Sequence, residues 1–322
     1  MKVVICLEKF SDWLEAYSIF YYFRGIKSVT LLYIENARNN EASVRALFGE
    51  LKGKVDFEYE GTADRAIFFQ KIGELLRTLE RGDVLAAPYI RYRSIWAYVP
   101  AAREKGVTTV HLSESFPDSF NRLGYRLGFR LVRGFSVGKL LKQIAIMPFF
   151  YFYSASHKPD VCFYNMAPKV KNPFVKKTIQ AFIPKVDEAK KQYLQELTKG
   201  EKRPLLIAGF GYGLDKMVEY LKIDKYIATS KDREIIIDGK RIPLDYYICA
   251  EEVLLSDCSN RIIGYDSTAI CWAYRIGGIE ITCYEASALN EQYGFMNGIL
   301  TRRTMKRCGL TLLPECKEMI KK

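Results

Sequence analysis

The chain has 322 residues, 49% of them hydrophobic and 14% aromatic, which excludes a disordered chain and gives a length for about two packed domains. Lysine and arginine outnumber aspartate and glutamate by 49 to 37, a net charge of +12. A basic excess of that size points to an anionic partner: nucleic acid, an acidic membrane face, or a phosphorylated or acidic-sugar substrate.

None of the eight cysteines forms a C-x-x-C pair, and Cys6, Cys162, Cys271 and Cys283 sit in or beside apolar runs. That usage fits reduced, mostly buried thiols better than a disulfide frame or a zinc site. The opening MKVVICLEKF meets charge too early for a signal peptide. The longest apolar run, residues 144–153, is ten residues long, half of the about 20 that span a bilayer. The expectation is a cytoplasmic protein, free to lie at the inner face of a membrane.

In chain order, residues 2–7 (KVVICL) read as a buried strand and Ser11 as the cap of a helix carrying Trp13, Leu14, Tyr17, Phe20 and Tyr21. Strands follow at 28–34 and 55–59. An amphipathic helix at 62–81 should turn Ile67, Ile72, Leu75, Leu76 and Leu79 inward. Strands at 84–87 and 108–112 flank a helix at 96–104. This alternation predicts a parallel, doubly wound sheet whose ligands sit beyond the carboxyl ends of its strands. The fifth strand runs into His111-Leu112-Ser113-Glu114-Ser115-Phe116-Pro117-Asp118, which places an imidazole and the carboxylates Glu114 and Asp118 in a loop at that edge. A carboxylate there can act as a general base on a hydroxyl, or merely cap a turn.

Between Asp118 and Asp160 no acidic residue occurs, and Arg122, Arg126, Arg130 and Arg133 recur at helical spacing among apolar and aromatic residues. The stretch reads as an acceptor-facing or membrane-leaning surface. Packing between domains and nucleic-acid binding are the competing readings, and nucleic acid is not favoured.

Residues 159–164 form a sixth strand, and 169–199 a polar, basic, largely helical connection. The organisation is then an N-terminal Rossmann-like domain (1–168), a connecting segment (169–203) and a C-terminal Rossmann-like domain (204–322). The second domain opens on a strand at 205–208 followed by Gly209-Phe210-Gly211-Tyr212-Gly213, a glycine-rich turn that lets backbone approach a ligand. A strand at 226–229, a hairpin at 234–244 and a helix at 249–255 with Glu251 and Glu252 in its first turn come next. Residues 261–285 then read strand, turn, helix, Gly-Gly break, strand, with Ser267 and Thr268 where strand becomes helix. Unpaired amides and the helix dipole make such a start either an anion site or a plain serine cap. The tail should close with a helix at 314–322. Two doubly wound halves suit a transferase with one substrate on each.

Three segments together, HLSESFPDSF, ICAEEVLLS and IIGYDSTAICWA, resemble the bacterial sialyltransferases of glycosyltransferase family 52, relatives of the capsular polysialyltransferases, over roughly residues 100 to 290. The resemblance implies a GT-B fold and inverting transfer from CMP-sialic acid to a surface, capsular or lipid-linked glycan, with no cofactor and no required metal. No D-x-D occurs in the chain, in agreement. It further implies that Glu114 is the general base, that Glu251 or Glu252 is the acid beside the donor nucleotide, and that Ser267 and Thr268 hold the CMP phosphate. The family's His-Pro pair has no counterpart: residues 228–233 read Ala-Thr-Ser-Lys-Asp-Arg, where Lys231 or Arg233 offers a fixed cation instead of an imidazole. CMP-Kdo, CDP-glycerol or a UDP-sugar therefore stay open as donors, and so does a non-catalytic two-domain protein. A homodimer is allowed.

Overall fold

The computed structural model describes residues 1–88, 94–112, 145, 157–165, 175–209, 212–230, 232–265, 267–285, 305–306 and 309–320. These divide into two compact units, with residues up to 112 and 157–187 in the first and residues from 188 onward in the second.

The first unit is built on β1 (Lys2–Leu7), β2 (Ser28–Ile34), β3 (Asp56–Thr62), β4 (Val84–Pro88), β5 (Thr108–Leu112), β6 (Val161–Tyr164) and β7 (Lys177–Gln180). Their order is β3-β2-β1-β4-β5-β6-β7, and each described pairing is parallel. Strands such as KVVICL are buried on both faces, as a sheet covered on both sides requires. The sixth strand lies within the expected span. By contrast, β7 falls inside the connection expected to be helical; its polar KTIQ has no buried residue, as suits an edge strand.

Helix α1 (Asp12–Ala16) stops at Tyr17 and α2 (Ser18–Tyr22) continues, so the single expected helix is two short ones. Ser11 makes no cap bond. Asp12 satisfies the turn instead, its Oδ2 accepting the amides of Glu8 and Lys9 at 2.9 and 2.7 Å. After α3 (Glu41–Arg45), helix α4 (Arg65–Thr78) is capped by Asp64, whose Oδ1 accepts from Ala66 and Ile67. The buried stripe of α4 is Phe68, Ile72 and Leu76, spaced by four; Ile67 faces out, against expectation. Between β4 and β5 comes α5 (Ser94–Glu104).

The second unit has α6 (Glu188–Leu197), β8 (Leu205–Leu206), α7 (Leu214–Leu221), β9 (Ile227–Thr229), β10 (Glu234–Ile237), β11 (Lys240–Pro243), α8 (Ala250–Leu255), β12 (Arg261–Tyr265), α9 (Thr268–Ile276), β13 (Glu280–Tyr284) and β14 (Leu312–Leu313). Its sheet runs β11-β10-β9-β8-β12-β13-β14, parallel except for β10, which is antiparallel to β9 and to β11. The tail helix expected at 314–322 is instead a 3₁₀ turn, Lys317–Met319, placed after β14. Both units are therefore α/β with doubly wound, mostly parallel sheets.

Seven cysteines lie among the described residues; all seven are buried, and none of them is in a disulfide. No described helix is long and apolar enough to cross a membrane.

Candidate functional site

In an open parallel sheet the ligand crevice forms where the strand order reverses. The first sheet reverses between β1 and β4, and the second between β8 and β12. These two places are built differently.

At the first, the amides following β1 are already bonded to the Asp12 carboxylate, which is 6% exposed. Glu15, one turn on, is buried as well. A chain carboxylate thus stands where an incoming anion would be received.

At the second, Gly209, just past β8, lies against Tyr265 at the end of β12. Gly209 has φ +134°, a conformation that L side chains rarely adopt, and a Cβ there would come 3.1 Å from the Tyr265 hydroxyl. Gly264 permits the close approach beneath: a Cβ on it would stand 2.5 Å from the Cβ of Ile207. That approach lets Ile207 pair with β12 beyond the end of β8, its amide donating to the Ile263 carbonyl at 2.9 Å.

Ser267 holds the N-cap position of α9 in extended conformation, yet its side chain makes no capping bond. Its Oγ is buried and has no hydrogen-bond partner among the described residues. A serine that merely capped the helix would spend that oxygen on an N2 or N3 amide. Thr268 behaves differently, its hydroxyl donating to Glu251 Oε1 at 2.8 Å. Glu251 is 4% exposed, and burial raises its carboxyl above the usual carboxylate range; the Thr268 bond pulls the other way but is the smaller effect.

The two adjacent acids therefore have separate duties. Glu252 Oε1 pairs with Lys190 Nζ at 2.5 Å, with both side chains almost fully buried, while Oε2 accepts the Cys249 amide at 2.9 Å and closes the first turn of α8. Lys190 also lies 4.8 Å from the centroid of the Tyr246 ring. Glu252 is thus a structural acid, and Glu251 is the one in contact with the helix start that carries Ser267.

Gly209, Glu251, Ser267 and Thr268 accordingly belong to one edge of the second sheet. Gly211, Lys231, Glu114, Asp118, Arg122, Arg126, Arg130 and Arg133 lie outside the described residues. His111 is corrected: it sits inside β5, opposite Cys162, rather than in the loop beyond. It is 3% exposed, and burial pushes its pKa down to about 3, so it is neutral at physiological pH. Sequence reasoning gave no role to Lys190 or Tyr212. Nothing in the polar run around Lys190 distinguishes it from its neighbours, whereas Tyr212 stood in view within GFGYG. No known family model matches the chain, and no curated protein matches it in sequence.

Proposed function

We propose that the chain is an inverting glycosyltransferase of the GT-B kind, sialyltransferase-like, that moves a sugar from a CMP-activated donor to a surface, capsular or lipid-linked glycan. One observation carries the reading: at the reversal of the second sheet, α9 begins with a buried serine hydroxyl that has no partner among the described residues. Free amides and the positive end of the helix dipole at such a start favour a phosphate. In the first unit the amides after β1 are taken by Asp12, which favours the second unit as the donor side.

In this mechanism Glu114 takes the proton of the acceptor hydroxyl as its oxygen bonds to the anomeric carbon. The bond from that carbon to the phosphate oxygen breaks, and the electron pair leaves with CMP. The α9 amides and the Ser267 hydroxyl stabilise the charge gathering on the departing phosphate, with Lys231 supplying a fixed cation. Glu251 fixes Thr268 and with it the first turn of α9. Asp118 and the basic stripe Arg122, Arg126, Arg130 and Arg133 serve the acceptor and an anionic membrane face.

A thermal-shift panel of CMP, CDP, UDP and their sugar conjugates tests this. A ligand at a hundredfold its dissociation constant adds about 2.7 kcal/mol to stability, so a CMP-selective rise in midpoint is expected. A response to UDP alone moves the donor class. A flat response to every nucleotide overturns the reading.

A further inference from the structure

The glycine-rich turn after β8 does not stand alone. Gly209 and Tyr212 exchange both backbone hydrogen bonds, the Gly209 amide to the Tyr212 carbonyl at 3.1 Å and the reverse at 3.0 Å, which joins the two ends of the turn. The far side of that loop is held by the C-terminal tail. Tyr212 forms an antiparallel bridge with Ile320, and the Gly213 amide donates to the Met319 carbonyl at 3.0 Å. The Tyr212 hydroxyl donates to the Glu285 carbonyl at 2.6 Å, just past β13, and accepts the Cys316 amide at 3.3 Å. Tyr212 is 2% exposed, Met319 fully buried, and the Tyr212 ring lies 6.4 Å from that of Tyr265, which closes over Gly209. One phenol therefore ties together the turn, the end of β13 and the tail.

From this arrangement we infer that Tyr212 and the tail segment Cys316–Ile320 are positioning elements of the donor site. They set the register in which the turn at 209–213 meets the nucleotide phosphate. The inference rests on the donor reading above and adds the tail to that site. A loop whose backbone approaches a ligand is effective only when held in one conformation before the ligand arrives, because ordering it on binding subtracts from affinity. The β8–β12 edge supplies one anchor, through Ile207 and Ile263, and the tail supplies the other. Neither Tyr212 nor the tail need touch the ligand.

The test uses the full chain, a Tyr212→Phe variant, and a chain ending at Glu315 to which a peptide of residues 316–322 can be added back. Circular dichroism and ligand-free melting establish that each is folded. Tyr212→Phe keeps the ring and removes only the hydroxyl, and it is expected to weaken CMP binding about tenfold, the scale of one buried hydrogen bond. The shortened chain should lose at least as much and recover when the peptide is supplied, a rescue that general destabilisation would not give. Amide exchange at Gly209, Tyr212 and Gly213 gives a readout that needs no nucleotide; it should quicken about tenfold in both variants while the amides of β12 keep their protection. Unchanged CMP affinity with unchanged exchange at those three amides overturns the inference. If the full chain binds no nucleotide, the donor reading fails, and the exchange pattern still decides whether the tail holds the turn.

Discussion

The Thr268 hydroxyl donates to Glu251 Oε1 at 2.8 Å, which joins the first turn of α9 to the first turn of α8 inside the second unit. Buried almost completely, Glu251 sets a pH dependence whose sign can be worked out. Its folded pKa lies above the ordinary 4.5, so between 4.5 and that raised value the folded chain holds a proton the unfolded chain has released. The contribution of Glu251 to stability is therefore fully present below 4.5 and declines as pH rises through the window above it. Glu251→Gln should flatten that decline, read from urea melts taken at half-unit pH steps. Equal slopes for parent and variant would show that Glu251 does not carry it.

Glu252 makes a different case, an acid buried beside a cation. Lys190 and Glu252 meet at 2.5 Å with 4% and 1% of their side chains exposed. Removing one partner leaves an unpaired charge out of water, so Lys190→Met should cost about 3–5 kcal/mol. The double variant Lys190→Met, Glu252→Gln should recover more than half of that loss, since no bare charge remains. Additive losses in the double-mutant cycle would deny the coupling.

These two neighbours also mark how far the sequence could be read. Both stand in the first turn of one helix, and a one-residue ambiguity between them is invisible to periodicity. A single helical step of rotation sends one carboxylate to Thr268 and the other to Lys190, a partner 62 residues away in sequence. Strands buried on both faces, such as β1, were legible where they are continuous apolar runs between turns. Edge strand β7 was not, since KTIQ has no apolar run, and the two-residue β14 carries no periodic signal at all. The helix start at Ser267-Thr268 was legible as an element boundary. The sequence could not say that the serine hydroxyl is left unpaired while the threonine hydroxyl is used.

His111 gives a second pH effect, acting in the acid range. Its folded pKa is pushed from 6.5 to about 3 by burial in β5. As pH falls below 6.5 the unfolded chain takes a proton that the folded chain refuses, so stability declines toward acid by about 1.4 kcal/mol per pH unit within that window. The chain has two histidines, His111 and His157, so the imidazole resonances are easily told apart by His157→Gln. The His111 resonance is expected to stay at its neutral position from pH 8 to pH 5. A titration near 6.5 would mean that the ring reaches solvent.

Ser267 offers the sharpest separation between a helix cap and a ligand site. A working serine cap loses about 1 kcal/mol on replacement by alanine, because an N-terminal amide loses its acceptor. Here the side chain makes no such bond, and its buried oxygen has no partner among the described residues. Ser267→Ala should accordingly leave ligand-free stability within about 0.5 kcal/mol of the parent, or raise it, because a buried orphan hydroxyl is removed. CMP affinity should fall about tenfold in the same variant, since the hydroxyl that would meet the phosphate is gone. Ser267→Thr, which restores a hydroxyl, should recover part of the binding. Chemical denaturation and titration calorimetry on the same preparations read both quantities. A loss of stability with unchanged CMP affinity would make Ser267 a cap and nothing more.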